Sequence, residues 1–513
     1  MPWRESFAVM LPACPACRDP HAKPWERRRK GSVTRPPASP MLHLQEPPPP
    51  RAPTAHSSAV EEFQGRWGRT GSAAPWPWAP STVGWLLRPR RTGHRGLPRF
   101  RLAFRPGDAM TSTQEPPELT PEVPGTPSAE YRVARIRRRL ERLIGVAATE
   151  GNALTPLRNG DEIFAAMLDA IRRAEHTVDM MTFVYWRGDI AREFAQALAE
   201  RARAGVRVRL LLDGFGSRLI ETEQLETMER AGVQVAWFRK PLYLSPLKQN
   251  HRCHRKVLVV DEETAFTGGV GIAQEWCGDA RNENEWRDTH VEVRGPAVDG
   301  MAAAFAQNWA ECHEELFDER DRFVEHRPQG SAIVQVVRGS ASFGWQDMQT
   351  LIRVMLESAE ERFRLATAYF SPDAYFVELL CATARRGVAV EILLPGPHTD
   401  KRVCQVAGQH HYEELTACGV KIYHYQPTMM HAKVITVDRV AALIGSTNFN
   451  RRSLDHDEEV MLAVLDEEFT ATLDEHFEAD LAVSEPIRPG RWRRRSVVQR
   501  AREAAVQPIR RFL

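Results

Sequence analysis

The chain is poor in several things that would each have pointed to a different kind of protein. No apolar run approaches the roughly twenty residues that a bilayer-spanning helix needs, so no membrane span is expected. The eight cysteines are scattered, which fits reduced thiols in a cytosolic compartment better than a disulfide framework. Cys14 and Cys17 form a C-x-x-C with no second pair to complete a zinc site, and that spacing is read as chance. No other metal-ligand set is visible, so neither a metal nor another cofactor is expected. Tyrosine is absent from the first 109 residues, which are instead rich in Pro, Arg and Trp and keep no helical or strand period. They hold 18 Lys and Arg against 7 Asp and Glu, formally +11, which leaves −9 for residues 110–513. Residues 1–130 are therefore read as disordered, with Met110 suspected as the native start and the upstream part an over-extended gene reading. The alternative is a basic arm for nucleic acid or anionic lipid.

What is present is a constellation that occurs twice. His254, Lys256 and Asp261 are spaced H-x-K-x4-D, and so are His431, Lys433 and Asp438. Each set runs into an apolar stretch that reads as a buried strand, Val257–Val260 in the first copy and Val434-Ile435-Thr436-Val437 in the second. Residues two apart on extended chain share a face, so each His and Lys project into one space. Two copies brought together supply two imidazoles and two ammonium groups, the set that attack on a phosphodiester requires. One neutral imidazole attacks phosphorus while the other, protonated, gives its proton to the departing alcohol. The lysines hold the non-bridging oxygens, so positive side chains stand in for a metal.

After Asp438 the chain continues through Gly445-Ser446-Thr447-Asn448, where a hydroxyl and an amide, Ser446 and Asn448, can bind a phosphate oxygen. Here the sequence resembles the phospholipase D superfamily, whose signature is H-x-K-x4-D-x6-G-S-x-N, and the second copy matches at every defined position. The first copy reads Gly268-Gly269-Val270-Gly271 at the same place, so the two half-sites are expected to be unequal. The resemblance implies that a carboxylate after each copy orients a histidine through its second nitrogen, a role carried onto Asp288 and Glu459, with Glu285 and Glu458 as possible substitutes. Asp261 and Asp438 belong to the motif and are grouped with the catalytic set, although their position at strand ends suits a structural tie.

The duplication extends beyond the motif. Ala202-Arg203-Ala204-Gly205-Val206 precedes one apolar strand and Ala384-Arg385-Arg386-Gly387-Val388 another, and Ala231-Gly232-Val233 and Cys418-Gly419-Val420 repeat the helix-to-strand turn. Such alternation argues for an α/β fold of two pseudo-symmetric α/β/α sandwich halves, with a largely parallel sheet in each and the active site at their interface. The expected halves are residues 151–328 and 329–485, preceded by a basic amphipathic helix over 131–150 and followed by a basic tail over 486–513. In the helix Ile136, Leu140, Leu143 and Ile144 share one face; in the tail Trp492, Val497 and Val498 interleave with arginines. Both segments can lie on an anionic bilayer or pack on the core. Residues 241–247, just before the first motif, are apolar for a loop.

Within the superfamily the chain is similar to bacterial cardiolipin synthases of the type without transmembrane helices. The likeness rests on Asn250-His251-Arg252-Cys253-His254-Arg255-Lys256, on residues 268–276 and 286–298, and on Ala368-Tyr369-Phe370-Ser371-Pro372-Asp373, within residues 150–485. It implies a phosphatidyl group moving from phosphatidylglycerol to a histidine and on to a second phosphatidylglycerol. The expected setting is the inner face of the cell membrane, with the cytoplasmic protein bound peripherally and no nucleic acid as partner. His254 is the expected nucleophile and His431 the acid. A hydrolytic phospholipase D and a nuclease of the same superfamily are the alternatives, the nuclease disfavoured by the net acidity of residues 110–513. The acceptor and the oligomeric state are not legible.

Overall fold

A computed structural model describes residues 128–240, 251–313, 324–340 and 346–508. The N-terminal segment with Cys14, Cys17 and Met110, and the apolar stretch 241–247, lie outside the described residues.

The first half contributes β1 (Thr149–Arg158), β2 (Thr177–Thr182), β3 (Arg207–Asp213), β4 (Gln234–Phe238), β5 (Val257–Val260), β6 (Thr264–Gly268) and β7 (Thr289–Arg294). The second contributes β8 (Ala332–Gly339), β9 (Arg362–Thr367), β10 (Phe370–Ser371), β11 (Ala389–Pro395), β12 (Lys421–Tyr425), β13 (Lys433–Val437), β14 (Ala441–Gly445), β15 (Phe449–Asn450), β16 (Glu459–Leu465) and β17 (Ser484–Pro486). Fifteen of these form one sheet in the order β17-β12-β11-β9-β13-β14-β16-β8-β1-β7-β6-β5-β2-β3-β4, and β10 pairs with β15 apart from it. Read outward from the β8·β1 seam, the two wings repeat one topology, β1-β7-β6-β5-β2-β3-β4 and β8-β16-β14-β13-β9-β11-β12. The pseudo-symmetry inferred from the repeated motif is therefore a property of the whole sheet, whose wings join edge to edge.

The expectation of a largely parallel sheet is corrected. Only β2-β3-β4 and β9-β11-β12 run parallel, while β5, β6, β7 and β1 and their counterparts are antiparallel. The reason is local. Asp261 and Glu262, and likewise Asp438 and Arg439, take left-handed backbone angles with φ between 49° and 61°, closing tight hairpins just after the motif strands. So short a connection permits only antiparallel pairing, whereas a helical crossover makes a parallel one. The helix-to-strand turns that suggested parallel strands belong to the outer three strands of each wing alone.

One apolar core draws on both wings, with Met181, Leu211, Val257 and Val291 beside Leu393, Val434, Ile444 and Val460. It is roofed by helices Ala297–Cys312 and Glu467–Ala482 through Met301, Phe305, Trp309, Phe469 and Phe477. Each wing has a further core on its other side. Helix Ala129–Ile144 starts at Ser128, whose hydroxyl accepts the Tyr131 N–H, and ends at Gly145 with φ 76°. It buries Ile136, Leu140 and Ile144 against the second wing's core and pairs Arg132 with Glu361 and Arg135 with Glu360. The apolar face that could have met a bilayer is thus consumed in packing, and Leu143 stands outside it, 62% exposed. In the C-terminal segment Trp492 packs on Tyr412 and Arg495 pairs with Glu413 and Glu503, while Val497 and Val498 stay exposed.

The thiols also depart from expectation. Cys381 and Cys418, 37 residues apart, form a disulfide with Cα atoms 5.2 Å apart, whereas Cys253, Cys277, Cys312 and Cys404 are free. The pairing arises because the helix before β11 packs on the helix before β12, a tertiary proximity without a local signature.

Candidate active site

The two histidines stand just ahead of β5 and β13. Cys253 and Arg287 form isolated parallel bridges to Glu458 and Met430. Through them the His254 N–H donates to the Glu458 carbonyl at 2.9 Å, and the His431 N–H donates to the Arg287 carbonyl at 2.7 Å. Each histidine is thereby laced to the residue preceding a carboxylate of the other wing.

The side chains cross in the same way. His254 Nδ1 lies 2.9 Å from Glu459 Oε1, and His431 Nδ1 lies 2.7 Å from Asp288 Oδ2. A carboxylate only accepts, so Nδ1 carries the proton in both rings and Nε2 is left with its lone pair. The orienting carboxylate for each imidazole therefore comes from the opposite wing, and neither wing could complete its own half-site. Of the suggested substitutes, Glu285 is tied on the surface to Arg281 and Asn282, and Glu458 pairs with Arg255 behind the site.

Both carboxylates receive a second donor, by different means. The Ser446 hydroxyl donates to Glu459. At the matching position Gly269 has no side chain, and a Cβ there would stand 2.2 Å from Asp288 Oδ1. Instead Trp276 reaches in, and its indole N–H donates to Asp288 Oδ2 at 2.9 Å. Burial pushes Glu459 and Asp288 upward, but the facing imidazoles and the lysines outweigh it and hold both below the usual carboxylate range.

Lys256 donates to the His254 carbonyl at 2.7 Å, and the Lys433 ammonium lies 3.2 Å from His431 Nε2. Burial lowers Lys256 to about 8 and Lys433 to about 7. Burial likewise lowers His254 to about 4 and His431 to about 3, with Lys256 and Lys433 each acting against both rings. That mutual influence across the wings means that the four groups share one electrostatic field. Two neutral imidazoles thus stand beside two buried lysines, and a phosphodiester anion would offset the repulsion among these groups. Asn448 is buried at 2% exposure, with its Oδ1 unpartnered.

Asp261 and Asp438 sit elsewhere. Asp261 accepts the N–H groups of Glu175, His176 and Thr177 at 2.7–2.9 Å, and Asp438 those of Glu360, Glu361 and Arg362 at 2.7–2.9 Å. Both are at the far ends of the motif strands, pinning the starts of β2 and β9. Grouping them with the catalytic set is corrected here, because their carboxylate oxygens are engaged by backbone and do not meet the imidazoles.

Several site residues carry no motif signal. Arg255, fully buried between His254 and Lys256, donates to Asn308 Oδ1 and to the carbonyls of Glu459, Ala304 and Gly339. Arg287 pairs with Asp480 at 3.0 Å. Trp276, Trp286 and Tyr369 enclose His431 with ring centroids 5.1–6.3 Å away, whereas among the described residues His254 has Phe183 at 5.1 Å. The hint in the sequence was that Arg255, Trp276, Trp286, Arg287 and Tyr369 fall within the stretches that carry the family likeness, 250–256, 268–276, 286–298 and 368–373.

A sheet of two repeated wings with crossed His–carboxylate pairs at the seam is the architecture of the phospholipase D superfamily. The chain belongs to the cardiolipin synthase, PLD-like domain family, whose model matches residues 167–309 and 352–481. Cardiolipin synthase 1 of Bacillus anthracis is 30% identical over 375 residues, covering 71% of this chain and 73% of that protein. Cardiolipin synthase A of Pseudomonas aeruginosa (strain UCBPP-PA14) is 33% identical over 351 residues, 68% of this chain and 71% of that one. Phosphatidylserine synthase of Haemophilus influenzae Rd KW20 shares the fold, with a TM-score of 0.56 at 13% identity over 74% of this chain and all of that one. The chain is thus a phosphatidyltransferase of the cardiolipin synthase type. Among the described residues no helix is long and apolar enough to cross a membrane, and no cluster of metal-ligating side chains occurs.

Proposed function

We propose that the chain joins two phosphatidylglycerol molecules into cardiolipin with release of glycerol, through a phosphohistidine, at the inner face of the cell membrane. The observation that carries this reading is the pair of crossed dyads, which leave two Nε2 lone pairs directed away from their carboxylates beside two buried ammonium groups.

His254 is the nucleophile in this reading, supported by the greater exposure of its side chain, 12% against 6% for His431. The arriving phosphodiester anion offsets the lysine repulsion on both rings and favours one protonated imidazole; His431 is given that role on its enclosure, although burial lowers it further than His254. His254 Nε2 attacks phosphorus, the bond to the glycerol oxygen breaks, and His431 Nε2 gives that oxygen its proton. The second phosphatidylglycerol then offers a hydroxyl, whose proton returns to His431 as its oxygen displaces His254 from phosphorus. Lys256, Lys433 and the Asn448 amide hold the non-bridging oxygens, while Ser446 acts through Glu459. The Trp276, Trp286 and Tyr369 enclosure disfavours water as acceptor and so supports transfer over hydrolysis.

The test is turnover of phosphatidylglycerol vesicles with and without added glycerol, with lipid products identified by mass spectrometry. Cardiolipin that declines as glycerol is added is the expected result. Phosphatidic acid alone would move the assignment to hydrolysis, and no lipid turnover would overturn it.

A further inference from the structure

The loops that follow β3 and β11 occupy equivalent places in the two wings but display different side chains. After β11 the residues run Gly396-Pro397-His398-Thr399-Asp400-Lys401, with Pro397, Asp400 and Lys401 exposed and no large aliphatic or aromatic side chain among them. Asp400 accepts the Tyr369 hydroxyl at 2.7 Å and the Lys401 ammonium lies 4.6 Å from the same ring, closing the shell over His431. After β3 the residues run Gly214-Phe215-Gly216-Ser217-Arg218-Leu219-Ile220-Glu221. Here Phe215 is 49% exposed and Leu219 43% exposed, with Arg218 exposed between them.

This outward display is held in place by the loop's own construction. Asp213 Oδ1 accepts the N–H groups of Phe215 and Gly216 at 2.8 and 2.9 Å, the Ser217 hydroxyl donates to the Phe183 carbonyl, and the Trp186 indole donates to the Gly216 carbonyl. Gly216 is pressed so closely on Phe183 that a Cβ would stand 2.1 Å from the carbonyl oxygen. The N–H groups of Phe215 and Gly216, the Gly216 carbonyl and the Ser217 hydroxyl are turned in and satisfied and Ile220 packs on the core, while Phe215, Arg218 and Leu219 are turned out. A loop merely facing water would be arranged the other way round.

The same contacts fix the loop to the reaction centre. Phe183, on which it rests, faces the His254 ring, and Lys256 lies 5.6 Å from the Phe183 centroid. Asp213 Oδ2 also accepts the N–H of Cys253, the residue before His254. The exposed Arg218 and the buried Arg252 guanidinium groups lie 4.5 and 5.6 Å from the Phe215 centroid, so that Arg218 sets a positive charge at the surface beside the apolar tip.

We propose that loop 214–221 is a rigid docking element for an anionic bilayer, with Phe215 and Leu219 entering the acyl boundary and Arg218 meeting lipid phosphates beside His254. A lipid surface is the partner that matches an apolar tip flanked by arginine at a site taking phosphodiester headgroups. The inference rests on the proposed lipid substrate for its purpose, but the docking itself is measurable without turnover.

The experiment compares wild type with the double variant Phe215→Ser, Leu219→Ser, and with Phe215→Trp. Binding is read by sedimentation with phosphatidylglycerol/phosphatidylcholine vesicles, and turnover both on those vesicles and on dihexanoyl phosphatidylglycerol dissolved as monomers. The double variant should bind vesicles at least about tenfold more weakly and lose vesicle turnover in proportion, with monomer turnover unchanged. The tryptophan variant should show a blue-shifted emission when vesicles are added. Undiminished vesicle binding by the double variant overturns the proposal, as does an unshifted emission. Absence of turnover by wild type on both substrates would instead overturn the phosphatidyl-transfer reading, while the binding arm still decides the docking.

Discussion

The two half-sites reach one electrostatic arrangement through different residues. Glu459 takes its donors from His254 and the Ser446 hydroxyl, Asp288 from His431, the Trp276 indole and the Thr289 N–H. Where one loop offers a serine the other offers Gly269, and the space a side chain would fill there is taken by Asp288 itself. The first loop's departure from the G-S-x-N pattern is therefore a substitution of side-chain donor, from hydroxyl to indole, on the carboxylate that faces the imidazole. The exchange brings an aromatic wall with it. His431 is enclosed by Trp276, Trp286 and Tyr369, which fits a group that passes a proton in a dry pocket, and among the described residues His254 faces a single ring, Phe183, which fits a group that must reach phosphorus.

The sharpest way to break this comparison is to remove each imidazole. His254→Ala and His431→Ala should each cut lipid turnover by about 10⁴-fold or more, since each removes one half of a two-step reaction. A phosphodiester with a nitrophenolate leaving group, which departs without a proton, separates the roles. His431→Ala should still give a burst of nitrophenolate, and His254→Ala should give none; the reverse pattern would exchange the assignments. Next in size are Glu459→Gln and Asp288→Asn, at about 10³-fold each, because an amide no longer fixes the Nδ1–H tautomer. The crossed geometry adds a specific expectation. Glu459→Gln should reproduce the His254 phenotype and Asp288→Asn the His431 phenotype, although each acid lies in the other wing.

A smaller effect follows from the lysines. Their charge is present below their depressed pKa values and lost as pH rises, first from Lys433 at about 7 and then from Lys256 at about 8. In the free enzyme kcat/KM should fall on the alkaline side from about pH 7, by up to about tenfold per unit for each lysine lost. The bound phosphate anion favours the ammonium forms, so the limb of kcat should lie at higher pH than that of kcat/KM. An alkaline limb at the ordinary lysine value, above 10, would show that burial does not set these charges.

Much of this was legible in the residues because the chemistry is written locally. His254 and Lys256, and His431 and Lys433, are two apart on extended chain, and Gly205 and Gly387 mark helix ends that any reader of periodicity would find. What the sequence hid is long-range. Nothing near Glu459 says that it serves the histidine 205 residues upstream, and nothing near Trp276 says that it replaces a serine. The antiparallel strands around the motifs were missed because their cue, left-handed angles at Asp261-Glu262 and Asp438-Arg439, falls on non-glycine residues. The amphipathic pattern of helix Ala129–Ile144 fixed which face is buried but not against what, and the answer is the wing farther away in sequence.

The finest test of the comparison removes the unlike donors one at a time. A hydrogen bond to a charged acceptor contributes about 1.5–3 kcal/mol, so Ser446→Ala and Trp276→Phe should each lower kcat/KM by roughly ten- to a hundredfold. The two should differ in what rescues them. Ser446→Thr restores a hydroxyl and with it most of the activity, which a packing defect at that position would not allow. Trp276→Phe keeps part of the aromatic wall but no N–H, so its loss should come mainly in kcat, with the tryptophan-dependent shell of His431 partly intact. Trp276→Leu removes the wall as well and should admit water, raising phosphatidic acid relative to cardiolipin among the products. If Trp276→Phe matched wild type in rate and product ratio, the indole would be packing alone, and the likeness between the half-sites would end at the carboxylates.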